Sequence, residues 1–289
     1  MLTDKLKTKV ENILNDKIQS TGPVSGGCIS DAYKISCQSG KNYFLKLSSN
    51  LPEDMFPKEA NGLSELKKSD AIRVPGVIYK DASIIILEFI QSLGRSKKFF
   101  EDFGRKFAEL HKFTSQRFGF FEDNYIGATP QLNIANDSEK DNWINFYFNK
   151  RILYQFHLAE KNRYSTEELS DGIKKLENKI QEILSGIEEA PSLLHGDLWS
   201  GNFISDEKGN VCLIDPAVYY GHREADLAMT KLFGGFDKKF YDAYKETYPL
   251  KDGYKYRENI YKLYHVLNHL NLFGSGYYSQ AISLIRYYL

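Results

Sequence analysis

The chain has 289 residues, 42% hydrophobic and 14% aromatic, enough to bury a sizeable core in one large or two small domains. Its 38 Lys and Arg balance 38 Asp and Glu, so a formal net charge of zero offers no basic footprint for nucleic acid or an anionic membrane. The charged N-terminus has no apolar signal core, no run is long enough to span a bilayer, and Cys28, Cys37 and Cys212 lack metal-ligand spacing, so a cytoplasmic chain with free thiols is expected.

The first predicted element is an amphipathic helix, with Leu6, Val10, Ile13 and Leu14 on one stripe. A loop is expected over Thr21 to Ser30. Two β-like runs follow, Ala32–Cys37 and Asn42–Leu47, joined as a hairpin by Gln-Ser-Gly-Lys. A helix from about Pro57 to Lys68 carries Glu59, and Pro75 leads into two more strands, near Val77–Tyr79 and Ser83–Ile90. Beyond Gln91 the pattern turns helical. Phe99–Phe113 is periodic, Trp143–Ala159 puts Ile144, Phe148, Ile152 and Phe156 at i+4 steps, and Ser165-Thr-Glu-Glu168 reads as a capping box opening another helix. Short strands are expected near Phe203–Ile204 and Val211–Ile214, then a helical remainder rich in Tyr and Phe. The predicted fold class is α+β and two-lobed: residues 1–90 form a small antiparallel β-rich lobe with a helix, and residues 91–289 a larger, mostly helical lobe. A cleft would lie between them.

The chemistry is concentrated in Leu193-Leu-His-Gly-Asp-Leu-Trp-Ser-Gly-Asn-Phe203 and Cys212-Leu-Ile-Asp-Pro-Ala217. Asp197 is followed five residues later by Asn202 and eighteen residues later by Asp215. That is the layout of phosphoryl transfer: a carboxylate on a loop to orient the acceptor hydroxyl, then two oxygen ligands for magnesium. Magnesium keeps waters and phosphate oxygens in its shell, so one Asn and one Asp meet its demand. Any one of these residues alone reads as a cap or a strand end. His195 is read as loop support, hydrogen-bonded to backbone, and Asp226 as an acceptor for the loop's N–H groups.

Lys46, inside Tyr-Phe-Leu-Lys-Leu, is the candidate for the α- and β-phosphates, and Glu59 is its natural partner, with Glu53 and Glu65 as competitors. The glycines of Ser25-Gly26-Gly27-Cys28-Ile29-Ser30 suit close approach of backbone N–H groups to phosphate, with Gly26, Gly27, Cys28 and Ser30 as the nucleotide-side candidates. By itself this loop is also an ordinary turn. Glu88, Phe89 and Ile90 end the last strand of the small lobe, where a connecting segment could bond adenine. A thiol at Cys28 beside phosphates could be acidic and redox-sensitive, or a small buried group. For the acceptor, Trp199, Glu224, His269 and Asn271 are candidates, alongside Asn268 and His265. Core packing is the rival reading for the Trp and each His.

These residues resemble the fructosamine kinase (ketosamine-3-kinase) family over nearly the whole chain. The resemblance is carried by GGCISDAY near residue 27, MFPKEANGL at Met55, FGFFEDNYIGATPQLN at Phe118, HGDLWSGN, IDPAVYYGHREADLAMTKLFGGF and LNHLNLFG at Leu267. HGD with a downstream Asp is shared with aminoglycoside phosphotransferases and choline kinases. The Leu-Trp-Ser-Gly insertion before Asn202 and the run Leu232–Phe236 are more specific. The resemblance implies a protein-kinase-like fold and ATP-dependent phosphorylation of the 3-hydroxyl of a ribulosyl- or fructosyl-lysine, free or protein-bound, leading to deglycation. It also implies Asp197 as proton acceptor, Asn202 and Asp215 as Mg2+ ligands, Lys46 and Glu59 as the ATP-orienting pair, and 88–90 as the adenine stretch. In some members the cysteine matching Cys28 links two chains by a redox-sensitive disulfide, so a monomer or a homodimer is expected. Two alternatives stand beside this reading: a kinase for another hydroxylated amine, such as an aminoglycoside or choline, and a pseudokinase. The first lacks the long acidic run that a polycation calls for. The second would show loss of Lys46, Asp197, Asn202 or Asp215, and all four are present.

Overall fold

The computed structural model describes residues 2–24, 31–48 and 51–289. Helix α1 (Asp4–Leu14) is capped by Thr3, whose hydroxyl accepts from Leu6 N at 3.3 Å, and Asn15 ends it in the left-handed region. Five antiparallel strands follow, interrupted by helix α2 (Met55–Lys68): β1 (Ile18–Pro23), β2 (Asp31–Cys37), β3 (Asn42–Leu47), β4 (Val77–Lys80) and β5 (Ile84–Glu88). They form one sheet in the order β1-β2-β3-β5-β4. Val10 of α1 packs with Ile18, Ile35, Leu45, Ile84 and Ile86 on one face. The expected loop therefore begins as a strand. Gly22 and Pro23 hide β1 from periodicity, and an edge strand tolerates a residue that cannot donate to the ladder.

Helix α3 (Phe99–Lys112) is followed by the hairpin β6 (Asn124–Ile126) and β7 (Thr129–Gln131). Next comes one long helical stretch in three parts: α4 (Trp143–Tyr147), a π turn (Phe148–Leu153) and α5 (Tyr154–Lys161). Helix α6 (Glu167–Ile183) is capped by Thr166, accepting from Leu169 N, one residue later than the expected box. Three-residue strands then carry the motif: β8 (Ser192–Leu194), β9 (Phe203–Ser205), β10 (Val211–Leu213) and β11 (Tyr219–Gly221), with β9 paired to β10 and β8 to β11. Helices α7 (Glu224–Leu232), α8 (Lys238–Thr247), α9 (Tyr254–Phe273) and α10 (Tyr278–Arg286) complete the chain.

Two further cores flank the motif strands. One joins α2 and β5 to α3 and α8, through Phe56, Leu63, Leu87, Phe103, Phe107 and Phe240, and includes Leu213 and Val218. The other joins the long helical stretch to α6, α9 and α10, around Tyr147, Ile152, Leu176, Tyr264 and Leu267. Each such side chain contributes about 1.5–3 kcal/mol on burial, so short strands with few ladder bonds are fixed from both sides. Cys37 and Cys212 are buried in these strands as expected, and burial pushes the Cys212 thiol up to about 12. Among the described residues no helix is long and apolar enough to cross a membrane. The mixed architecture is the expected α+β fold: an antiparallel sheet with one helix, then a mostly helical region.

Candidate active site

A cleft of about 830 Å³ opens between the sheet and the helical region, lined by Lys46, Glu59, Phe89, Asp197, Asn202, Asp215 and His269 among others. Lys46 of β3 is buried and donates to Glu59 Oε1 at 2.7 Å and to Asp215 Oδ1 at 2.5 Å. Burial opposes the ammonium, but the Asp215 and Glu59 carboxylates more than offset it and hold Lys46 protonated, above the ordinary lysine value. Of the three acids weighed as partners, Glu59 is the one that meets Lys46. Glu65 pairs with Lys68 instead, at 2.6 Å.

The loop between β8 and β9 is built on backbone bonds. Asp226 of α7, itself buried, accepts from His195 N at 2.7 Å and Gly196 N at 2.8 Å, the support role expected of it. His111 Nε2 lies 3.3 Å from the same carboxylate, and Tyr244 Oη lies 2.7 Å from His111 Nδ1. Burial opposes ionisation of Asp226, but bonds from His111 and the loop amides hold it below the usual carboxylate range. His195 Nε2 donates to Ile214 O at 3.0 Å while Nδ1 accepts from Asp197 N at 3.3 Å, which fixes a neutral ring in one tautomer. Burial lowers its affinity for a second proton. Gly196 is obligatory here: its φ is +84°, and a Cβ would lie 1.9 Å from Ala217 O.

Asn202 Nδ2 donates to Asp197 O at 2.7 Å and to Asp197 Oδ2 at 3.2 Å. Those bonds set the amide's orientation and leave its Oδ1 with no hydrogen bond among the described residues. Asp215 adopts φ +53°, a left-handed conformation unusual for Asp. The free carboxamide oxygen and the Asp215 carboxylate are hard oxygen donors of the kind magnesium takes. Among the described residues no cluster of three or more His, Cys, Asp or Glu could hold a metal ion. Burial pushes the Asp197 carboxyl well above the usual range, with the Asp215 carboxylate adding to the effect and the Asn202 amide opposing it. A cation at Asp215 would reverse the second of these contributions.

The same cleft carries an aromatic wall. Trp199 and Phe233 have centroids 6.1 Å apart, Phe233 and His269 4.9 Å, and His269 and Tyr277 5.1 Å. Phe273 adds a 5.4 Å contact to His269. The Trp199 indole lies over Gly201, where a Cβ would fall 2.4 Å from the ring. His269 Nδ1 lies 2.7 Å from His265 O, so that nitrogen donates and Nε2 is left as an acceptor.

Two expected acceptor residues are elsewhere. Glu224 is buried in a bidentate pair with Arg257, Oε1 to Nη2 at 2.6 Å and Oε2 to Nε at 2.8 Å, and does not line the cleft. Asn271 donates to Gln155 O and Oε1 at 2.9 and 2.8 Å and accepts from Asn162, so its side chain ties α9 to α5. Glu88 lines the cleft, but its carboxylate is taken by Arg73 Nη2 at 2.6 Å and Gly76 N at 3.1 Å. Phe89 and Ile90 line the cleft as expected. Gly26, Gly27, Cys28 and Ser30 lie outside the described residues. Sequence reading missed Phe233, Phe273 and Tyr277. Phe233 and Phe273 lie in runs that carry the resemblance, Leu232–Phe236 and LNHLNLFG, but nothing in those runs marks the rings as cleft lining, and Tyr277 has no signal beyond aromatic density.

The fructosamine kinase family model matches residues 2–289. A protein-ribulosamine 3-kinase, chloroplastic, from Arabidopsis thaliana is 41% identical over 280 residues, 94% of this chain and 83% of that protein. A crystal structure from Thermobifida fusca, assigned as a fructosamine-3-kinase, superposes with a TM-score of 0.89 at 28% identity, covering 99% of both chains. An ADP-bound aminoglycoside phosphotransferase superposes with a TM-score of 0.62 at 14% identity over 99% of this chain and 98% of that one, a likeness of fold alone. With the cleft, the paired Lys46 and the Asp197 loop in place, the chain belongs to the fructosamine kinase family, nucleotide-using phosphotransferases of protein-kinase-like fold.

Proposed function

We propose that this protein is an ATP- and magnesium-dependent ketosamine 3-kinase acting on ribulosyl- or fructosyl-lysine. The observation that carries the reading is that Asp197, Asn202, Asp215 and Lys46 line one cleft together with an aromatic wall. Asp197 orients the 3-hydroxyl and takes its proton as the hydroxyl oxygen bonds to the γ-phosphorus and the bond to ADP breaks. Lys46, held by Glu59, transfers one of its contacts from Asp215 to the α- and β-phosphates. Asn202 Oδ1 and the Asp215 carboxylate would hold magnesium, which would neutralise phosphate charge. Backbone at Phe89 and Ile90 serves adenine, which makes residue 90 the border of the nucleotide lobe. Trp199, Phe233 and His269 grip the sugar and the lysine methylenes. The 3-phosphate destabilises the adduct, and the amine is released.

An aminoglycoside acceptor is disfavoured because three of the four acids that line the cleft already have a cationic partner: Glu59 and Asp215 share Lys46, and Glu88 binds Arg73. The deciding experiment measures ATP consumption with magnesium on ribulosyl-lysine, fructosyl-lysine, choline and kanamycin. Turnover on a ketosamine followed by release of lysine upholds the reading, whereas turnover only on choline or kanamycin overturns the acceptor. Cys28 is the candidate for a redox-linked homodimer. A non-reducing gel after mild oxidant should show a dimer that Cys28→Ala abolishes.

A further inference from the structure

The stretch FGFFEDNYIGATPQLN has no role in the chemistry so far, yet it builds the β6–β7 hairpin, and Asn124, Tyr125 and Gly127 reach the cleft. Its three amides, Asn124, Gln131 and Asn133, are all buried. Their orientations follow from one residue that can only donate. Arg151 Nη2 donates to Asn133 Oδ1 at 2.7 Å, so Asn133 Nδ2 must face Asn124 Oδ1, at 2.8 Å. Asn124 Nδ2 is thereby turned to Val218 O, at 2.8 Å. In parallel, Tyr264 Oη donates to Gln131 Oε1 at 2.8 Å, and Gln131 Nε2 donates to Ala217 O at 2.9 Å and to Asn124 Oδ1 at 2.8 Å.

Both chains of bonds end on consecutive carbonyls, the second and third residues after Asp215. Ala217 N donates to His195 O at 2.9 Å, so this peptide joins the Asp197 loop to the hairpin. On the other side of Asp215, Ile214 N donates to Asn202 O at 3.0 Å. The left-handed Asp215 is therefore clamped on both sides, as a strained functional residue must be to persist. The hairpin also reaches the helix that carries Glu59. Asn61 Nδ2 donates to Glu122 Oε1 at 2.8 Å, and Tyr125 Oη donates to Asp54 Oδ1 at 2.6 Å. Gly62 of α2 rests on the same segment: a Cβ there would lie 3.3 Å from Val218 Cγ2 and 3.6 Å from Pro216 Cγ.

We infer that the β6–β7 hairpin is a bracket that sets the Asp215 segment against helix α2, with Asn124 and Gln131 as positioning residues for the transfer reaction. This rests on the reading of Asp215 as the residue that holds the phosphate-bound ion. The bracket fixes where Asp215 and the Lys46–Glu59 pair stand relative to each other without touching ATP or the acceptor through these amides.

The test compares Gln131→Met, which keeps bulk but loses both donors, with Glu122→Ala, which removes only the bond to Asn61 and lies outside the cleft lining. Steady-state kinetics are run beside hydrogen exchange over residues 214–218 and 55–68. For Gln131→Met we expect kcat to fall about 10-fold with the KM for ATP within about 2-fold, and exchange at 214–218 to rise about 10-fold. For Glu122→Ala we expect a kcat loss of about 3-fold with faster exchange confined to 55–68. Wild-type exchange in both segments overturns the bracket, as does faster exchange spread evenly over the whole chain. If Gln131→Met does not fold, Glu122→Ala decides alone. A wild-type protein inactive on every acceptor would sink the functional reading, while the exchange data still decide the bracket.

Discussion

Two groups of side chains in the cleft are held by different forces. Around Asp197 each functional group is fixed by a bond to backbone or by a buried charge: His195 to Ile214 O, Asp226 to two loop amides, Lys46 between two carboxylates. In the aromatic wall, apart from the bond of His269 to His265 O, the side chains hold one another by ring contacts, and Phe273 remains 57% exposed. Directional bonds hold atoms to fractions of an ångström, which in-line transfer requires. Ring contacts are broad in angle and tolerate a change of partner. On the proposed reading the chemistry is rigid and the acceptor side adaptable, an arrangement suited to adducts that share a sugar but differ in the amine behind it.

The sharpest way to break this contrast is Asp197→Asn. We expect kcat to drop by about 10³-fold or more while ATP affinity stays within a few-fold, measured by turnover and nucleotide titration. Retained turnover would remove Asp197 from the mechanism. Lys46→Met should cost about 10²-fold in kcat/KM for ATP, because Glu59 and Asp215 then lose the ammonium between them and the phosphates lose a contact. An effect confined to the acceptor KM would show that Lys46 serves the acceptor rather than the nucleotide. Trp199→Ala should act the other way, raising the acceptor KM about 5- to 10-fold with kcat nearly unchanged. A pure kcat loss there would mean that the wall positions the loop rather than the sugar.

The smallest expected effect concerns stability rather than rate. Burial lowers His222 to about 4 and His265 to about 3, from an ordinary 6.5. Between those values and 6.5 the unfolded chain binds protons that the folded one refuses, so stability rises with pH across that window and levels off above it. Urea midpoints at pH 7 and pH 5 should differ in that sense, and His222→Gln should flatten part of the slope. Equal midpoints would show that these rings take up protons in the folded state.

What could be read in advance follows the same division. Asp197, Asn202 and Asp215 lie within one short stretch, and Lys46 and Glu59 sit on neighbouring elements, so local spacing carried them. Glu224 and Asn271 were misplaced because their partners, Arg257 and Gln155, are 33 and 116 residues away, and no periodicity reports such distances. The paired three-residue strands β8 and β11 are too short to alternate visibly and exist because two cores press them together. Strand β1 was hidden by its own Gly and Pro. The hairpin was visible as a motif, but its purpose depends on carbonyls at 217 and 218 that only the folded chain brings near.

The π turn at Phe148–Leu153 makes the chain length at this point matter. A wide turn accommodates one more residue than the α-helix around it would hold. Removing one codon there would let the helix close up again, with every side chain beyond the deletion swung by about 100° relative to those before it. Arg151, which sits within the wide turn, could not then keep both its place over Tyr219 and its bond to Asn133. A chain one residue shorter at this point would still form a sound helix but would lose the donor that orients the hairpin's amides, so the number of residues in this turn bears on the cleft without any of them entering it.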